Sequence, residues 1–240
     1  MGDIVAIIQA RMASSRFPGK VMAAIAGRPM LWHIVQRLRH ANTLDRIVVA
    51  TSDQKSDDPI VELSKHMGVS YYRGCEFDVL DRYYEAAKSY GAEVVVRITA
   101  DCPLIDPQVV DKVVSTYLDG GYDYVANTLR ITYPAGLDTE VFSFAALEKA
   151  WKGARKDFDR EHVTTYIRLS GKFRIKGVEN EEASRFYYRW TVDEPRDLEF
   201  IRRVYSKFVS DKGLLHNEDI RVLLCQSDVL DNRTELRDER

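Results

Sequence analysis

Three short apolar runs, at 4–8, 47–50 and 94–98, narrow the folds open to this chain because they do not alternate with polar residues. A strand with one face in water alternates. A strand covered on both faces does not, and such strands sit in parallel sheets flanked by helices. The first run is followed by a loop and then by Met30, Leu31, Ile34, Val35 and Leu38 at helical spacing. Further helices are expected near 58–67, 79–90 and 109–118, with a short strand at 69–72. This rhythm predicts a doubly wound, mostly parallel α/β sheet, whose ligands gather at the carboxyl ends of the strands.

After a strand expected at 122–126 the rhythm changes. Residues 128–137 form a polar and aromatic connection containing Pro134 and Gly136, and a strand follows at 139–144. Helices at 145–152 and 160–169, strands at 173–178 and 186–191, and a helix from Pro195 to about residue 204 complete the pattern. One domain over 1–240 is expected, with a smaller α+β acceptor-binding and dimerisation subdomain at 128–190 inside it. The charged stretch 232–240 is expected to fray.

With 35 basic and 37 acidic side chains, the chain has no field suited to coating phosphates, so nucleic acid is not an expected partner. The first residues show no basic leader with an apolar core, and no apolar run approaches the ~20 residues of a membrane span, so a cytoplasmic protein without membrane contact is expected. Cys75, Cys102 and Cys225 lack metal or redox spacing and read as reduced thiols, with Cys102 expected to pack as a small apolar group.

The segment Gln9-Ala10-Arg11-Met12-Ala13-Ser14-Ser15-Arg16-Phe17-Pro18-Gly19-Lys20 follows the first strand directly. Arg11 and Arg16 can fork onto phosphate oxygens, Lys20 adds a point charge, and Gly19 lets the backbone approach a ligand. A solvated basic loop would have the same composition, but the position at a strand's carboxyl end favours phosphate binding. It is not a Walker loop, because Val21 follows Lys20 and the glycine spacing differs.

Residues 11–20 resemble the signature of cytidylyltransferases that activate acidic sugars, the 3-deoxy-manno-octulosonate and acylneuraminate enzymes, and are most similar to their spore-coat polysaccharide branch. Gly27-Arg28-Pro29-Met30 and Asp193-Glu194-Pro195 extend the likeness over most of the chain. The resemblance implies a nucleotide-diphospho-sugar transferase-like fold, a homodimer, and transfer of CMP from CTP to an acidic sugar with magnesium, for surface polysaccharide synthesis. It places the metal on Asp101, just beyond the third apolar run, and on Asp193, which also reads as a helix cap. Cys102 stands where the family often has Glu.

Ser14, Ser52, Arg82 and Thr99 join Arg11, Arg16, Gly19 and Lys20 as nucleotide-binding candidates, although Arg82 also suits a surface pair with Asp81 and Ser52 a cap. On the acceptor side, Asp138 and Glu140 lie two apart and would share a strand face, as sugar ligands or as a solvent-facing edge. In Asp159-Arg160-Glu161-His162-Val163-Thr164, His162 can orient or deprotonate an acceptor, and Arg160 or Arg189 can take its carboxylate. Two other classes stay open: a glycosyltransferase using an activated sugar, disfavoured because Asp101-Cys102-Pro103 is not an Asp-X-Asp element, and a nucleotide-binding protein without catalysis.

Overall fold

The computed structural model describes residues 2–181, 186–208 and 233–235. Cys225, His216 and the end of the charged tail lie outside them. In chain order the elements are β1 (Ile4–Gln9), β2 (Ala24–Ile25), β3 (Arg28–Pro29), α1 (Met30–Leu38), β4 (Arg46–Ser52), α2 (Asp58–His66), β5 (Ser70–Gly74), α3 (Val79–Ser89), β6 (Val94–Thr99) and α4 (Pro107–Leu118). Then follow β7 (Tyr124–Ala126), β8 (Glu140–Ser143), α5 (Phe144–Gly153), α6 (Asp157–Glu161), α7 (Thr165–Leu169), β9 (Ile175–Gly177), β10 (Phe186–Tyr188), α8 (Pro195–Phe208) and β11 (Arg233–Glu235).

Seven strands form one sheet in the order β5-β4-β1-β6-β8-β7-β9. β8 pairs antiparallel with both β6 and β7, and the remaining pairs are parallel, so the sheet is mostly parallel, as expected. The segment 128–190 contributes β8 and β9 to this sheet, while β10 pairs with β11 in a separate two-stranded ribbon. Arg233–Glu235, inside the stretch expected to fray, are therefore strand.

The unbroken apolar runs have the cause inferred for them. Along β1, Ile4, Ala6 and Ile8 enter one core layer and Val5 and Ile7 the other. The first layer is completed from α1, α4 and α8, the second from α3, α5 and Ile167 of α7. Ile7 and Ile8 are both fully buried, and truncating either to Ala falls in the large-to-small class that costs ~2–5 kcal/mol.

The single helix expected at 160–169 is two short ones. Val163, between α6 and α7, sits at φ 55°, a left-handed conformation that a β-branched residue rarely adopts and that no helix can contain. Its side chain is fully buried, so packing into the second core layer holds the turn against that strain. At Gly136 (φ 103°) a Cβ would meet the Trp190 backbone carbon at 2.8 Å, so the bend before β8 requires glycine on both counts.

Candidate active site

β1 and β6 lie side by side with Gln9 opposite Thr99, and the chain leaves β1 for β4 on one side while β6 lies on the other. At such a switch point the loops beyond the strands part and leave a crevice. Here the crevice is a cavity of about 320 Å³, lined from five parts of the chain: the end of β1 with the loop after it, the start of α3, the end of β6, Glu161 with His162, and Asp193.

Lys20 is one of the residues that line it. The chain reaches it through Gly19 at φ 73°, and a Cβ there would have only the Met12 methyl within 4 Å, at 3.5 Å. Gly19 does not line the cavity, so its glycine serves the backbone turn and not the close ligand approach expected of it. The Lys20 ammonium donates to Asp101 Oδ2 at 3.2 Å, Asp193 Oδ1 at 3.1 Å and the Val192 carbonyl at 2.7 Å. One cation therefore bridges two aspartates that are 92 positions apart in the chain.

Asp101 is aimed by the Thr99 hydroxyl, which donates to Oδ1 at 2.6 Å. Asp193 also pairs with Arg16 at 2.9 Å and with Arg189 at 3.1 Å. Burial pushes the Asp193 carboxyl up, but Lys20, Arg16 and Arg189 more than offset this and hold it below the usual carboxylate value. The amides of Asp193 and Glu194 donate to Asp197, so the turn into α8 is capped by Asp197 and the Asp193 carboxylate is left to the cavity. Asp106 caps α4 by accepting from the Gln108 amide at 2.9 Å.

The cavity also holds a surplus of positive charge. Arg82 is 1% exposed and donates to the carbonyls of Cys75 and Glu76, with its Nε unpaired. Burial lowers its pKa, and the nearby Arg11 lowers it further, because the two guanidiniums repel. Arg11 has no ion pair among the described residues. Arg82 likewise makes no ion pair among the described residues, and two neighbouring cations without one suit an anion. Asp81, the neighbour of Arg82, instead accepts the Trp151 indole N–H at 2.8 Å.

Of the sequence candidates, the cavity brings together Arg11, Ser14, Arg16, Lys20, Arg82, Thr99, Asp101, His162 and Asp193. Ser52 is 1% exposed and gives its hydroxyl to Asp57. Arg160 is held by Asp78 at 2.7 Å and by the Trp151 carbonyl, and Arg189 by Asp193 and Asp197. Glu140 is buried against Arg97, which also donates to Gln9, while the Tyr124 hydroxyl donates to Glu140 Oε2 at 2.9 Å. Because β8 begins at Glu140, Asp138 lies outside the strand and the two do not share a strand face. Gln9, Arg97 and Glu161 line the cavity although the sequence did not single them out. For Arg97 there was a signal, a lone charge inside an apolar run.

Cys102 is fully buried, and burial raises its thiol well above the usual value, so it stays protonated and packs, as expected. Asp138 is raised from 3.8 to about 6 by burial, then by Glu140 and Asp101. With the folded pKa above the unfolded one, folding is favoured below pH 3.8 and this advantage is lost as pH rises to about 6. The loss is on the order of 3 kcal/mol. Asp138→Asn is therefore expected to raise the melting temperature at pH 7–8, with the gain disappearing below about pH 4, as read by thermal denaturation across that range.

The cytidylyltransferase family profile matches residues 5–231. An uncharacterized protein of Methanocaldococcus jannaschii is 40% identical over 236 residues, which cover 98% of this chain and 93% of that one. The spore coat polysaccharide biosynthesis protein SpsF of Bacillus subtilis is 35% identical over 86% of this chain and 88% of its own length. The 3-deoxy-manno-octulosonate cytidylyltransferase of Geobacter sulfurreducens is 39% identical over 115 residues, 47% of this chain and 44% of its own. Among solved structures, a cytidylyltransferase from Leptospira borgpetersenii superposes with a TM-score of 0.91 at 30% identity over 99% of this chain and all of that one. A CMP:2-keto-3-deoxy-manno-octonic acid synthetase complexed with CTP shares the fold, at TM-score 0.65 and 20% identity over 85% of this chain and 99% of that one. No helix among the described residues is long and apolar enough to cross a membrane. By the profile and these relatives, the chain belongs to the cytidylyltransferase family of enzymes.

Proposed function

We propose that the protein transfers the CMP group of CTP to a hydroxyl of an acidic sugar or a related acceptor, releasing pyrophosphate, in the synthesis of a surface polysaccharide. One observation carries this reading: Lys20 joins Asp101 and Asp193 in the cavity that also holds the Arg11 and Arg82 guanidiniums. The acceptor class is suggested by the relatives named as 3-deoxy-manno-octulosonate cytidylyltransferases, and the pathway by the spore coat protein. A fold neighbour solved with CTP accords with the choice of nucleotide.

In this reading an acceptor oxygen attacks the α-phosphorus as the bond to pyrophosphate breaks, with no covalent enzyme intermediate. Arg11, Arg82 and Ser14 grip the β- and γ-phosphates, and Lys20 and Arg16 balance the charge that grows on the leaving group. The oxygen donors of Asp101 and Asp193 already face one cation, a set that suits a hard divalent ion completed by phosphate and water. They would hold magnesium, which when bound polarises the α-phosphate. His162 and Glu161, exposed on the cavity wall, meet the acceptor, and the imidazole accepts its hydroxyl proton. Glu140 and Arg189, committed to Arg97 and to Asp193 and Asp197, position the site's charges, and Asp138 lies near Glu140 and Asp101 outside the cavity wall. The reading includes a homodimer through 128–190, a segment that exposes Leu169 and Ile175.

The test is to incubate the purified protein with magnesium, each of the four nucleoside triphosphates and a panel of acidic sugars, and to measure pyrophosphate. Release that requires CTP and one acceptor is expected, from a protein with a dimer's mass by light scattering. Silence over the whole panel, or sugar transfer from a nucleotide sugar without pyrophosphate, would overturn the reading.

A further inference from the structure

Asp57 lies outside the cavity wall, closes the 3-10 turn Lys55–Asp57 and is 1% exposed. Its carboxylate nevertheless reaches the phosphate loop. Oδ1 accepts the Met12 amide at 2.8 Å across 45 residues of sequence. Oδ2 accepts the Thr51 hydroxyl at 2.9 Å, the Ser52 amide at 3.1 Å and the Ser52 hydroxyl at 2.5 Å. All four donors are neutral, and Arg82 is a cation close enough to interact with it. Burying a charge on neutral donors is costly, and joining a turn to a strand end does not require it.

The Met12 peptide explains what the carboxylate holds. The Met12 carbonyl accepts the amides of Ser14 at 2.9 Å and Gly19 at 2.8 Å, drawing the two ends of the loop together. The Met12 amide is the link from that closed loop to the body of the protein. With these bonds made, the amides of Ser15 and Arg16, two residues that line the cavity, have no protein acceptor among the described residues. Backbone N–H groups held in a closed turn without acceptors form an anion-binding concavity, whose affinity depends on their being fixed in advance.

We infer that Asp57 is a positioning residue for the triphosphate: by holding the Met12 peptide it pre-forms the loop whose free amides, with Arg11 and Arg82, take the β- and γ-phosphates. The inference rests on the proposed use of CTP. It also explains Ser52, whose hydroxyl steadies Asp57 from the end of β4 instead of touching the nucleotide.

The test compares CTP with CMP, which lacks the phosphates assigned to the loop, by calorimetric titration of the wild type, Asp57→Asn and Ser52→Ala. Asparagine offers one acceptor oxygen and cannot serve both Met12 and the β4 end. CTP affinity is expected to fall ~10- to 100-fold in Asp57→Asn, by analogy with residues that orient metal ligands from behind, and by less in Ser52→Ala. CMP affinity is expected to stay within about threefold, and amide exchange over 12–20 to quicken without nucleotide. If Asp57→Asn does not fold, Ser52→Ala carries the same comparison. Equal weakening of CTP and CMP would mean a general structural role, and unchanged CTP affinity would mean no role. Either result overturns the inference while leaving CTP use intact. A wild type that binds no CTP overturns both.

Discussion

Asp101→Asn is expected to lower kcat/KM for CTP by ~10²–10³-fold while the protein remains folded. Asparagine keeps the shape and can still accept the Thr99 hydroxyl that reaches Oδ1 at 2.6 Å. It cannot supply the negative charge that faces Lys20 at 3.2 Å. The stability cost is small, because Lys20, buried with 11% of its side chain exposed, keeps Asp193 and the Val192 carbonyl as partners. The rate effect corresponds to ~3–4 kcal/mol of transition-state stabilisation, so the two contributions separate cleanly. Steady-state kinetics beside thermal denaturation checks the claim. A large fall in melting temperature with unchanged kinetics in the folded fraction would reassign Asp101 to structure.

Glu140→Ala is expected to have the largest effect on stability, ~3–5 kcal/mol, because it strands a buried guanidinium. Arg97 and Glu140 have side chains 14% and 8% exposed and pair across neighbouring antiparallel strands. Burial opposes the Arg97 charge, and Glu140 more than offsets it, so the guanidinium is held firmly protonated. Once the carboxylate is removed, Arg97 retains Gln9, and the Tyr124 hydroxyl loses its acceptor. A melting temperature lower by on the order of 10 °C follows for a chain of this length. The double substitution Arg97→Met with Glu140→Leu should recover most of that loss, since an apolar pair of similar volume needs no partner. A double variant as unstable as Glu140→Ala would show that packing, not the stranded charge, carries the cost.

What the sequence revealed and what it concealed divide along a physical line. Local periodicity located β1, β4, β6 and α1 to within a residue or two, because strands covered on both faces and a helix on one core layer leave their pattern in consecutive residues. The cations of the loop and Asp101 follow apolar runs of the parallel sheet, where such a sheet opens, whereas Asp193 follows β10 of the separate ribbon and was placed by the family resemblance. Glu140 read as an acceptor ligand because its spacing from Asp138 suggests a shared strand face, whereas β8 starts at Glu140 and Arg97 claims it from 43 residues away. Asp57 gave no local sign, since its link to Met12 exists only in the folded chain. The break at Val163 was concealed for a similar reason: residues 160–169 have no glycine or proline, and the burial that enforces φ 55° comes from elsewhere in the chain.

The central claim is that the triphosphate and the Asp101–Asp193 pair share one site with a divalent ion. It is tested most directly by measuring the CTP dissociation constant calorimetrically, with and without magnesium, in the wild type and in Asp193→Asn. Magnesium should tighten CTP binding at least ~10-fold in the wild type, a coupling of ~1.4 kcal/mol, and have little effect in the variant. The same magnesium dependence in both proteins would place the ion away from Asp193 and contradict the account.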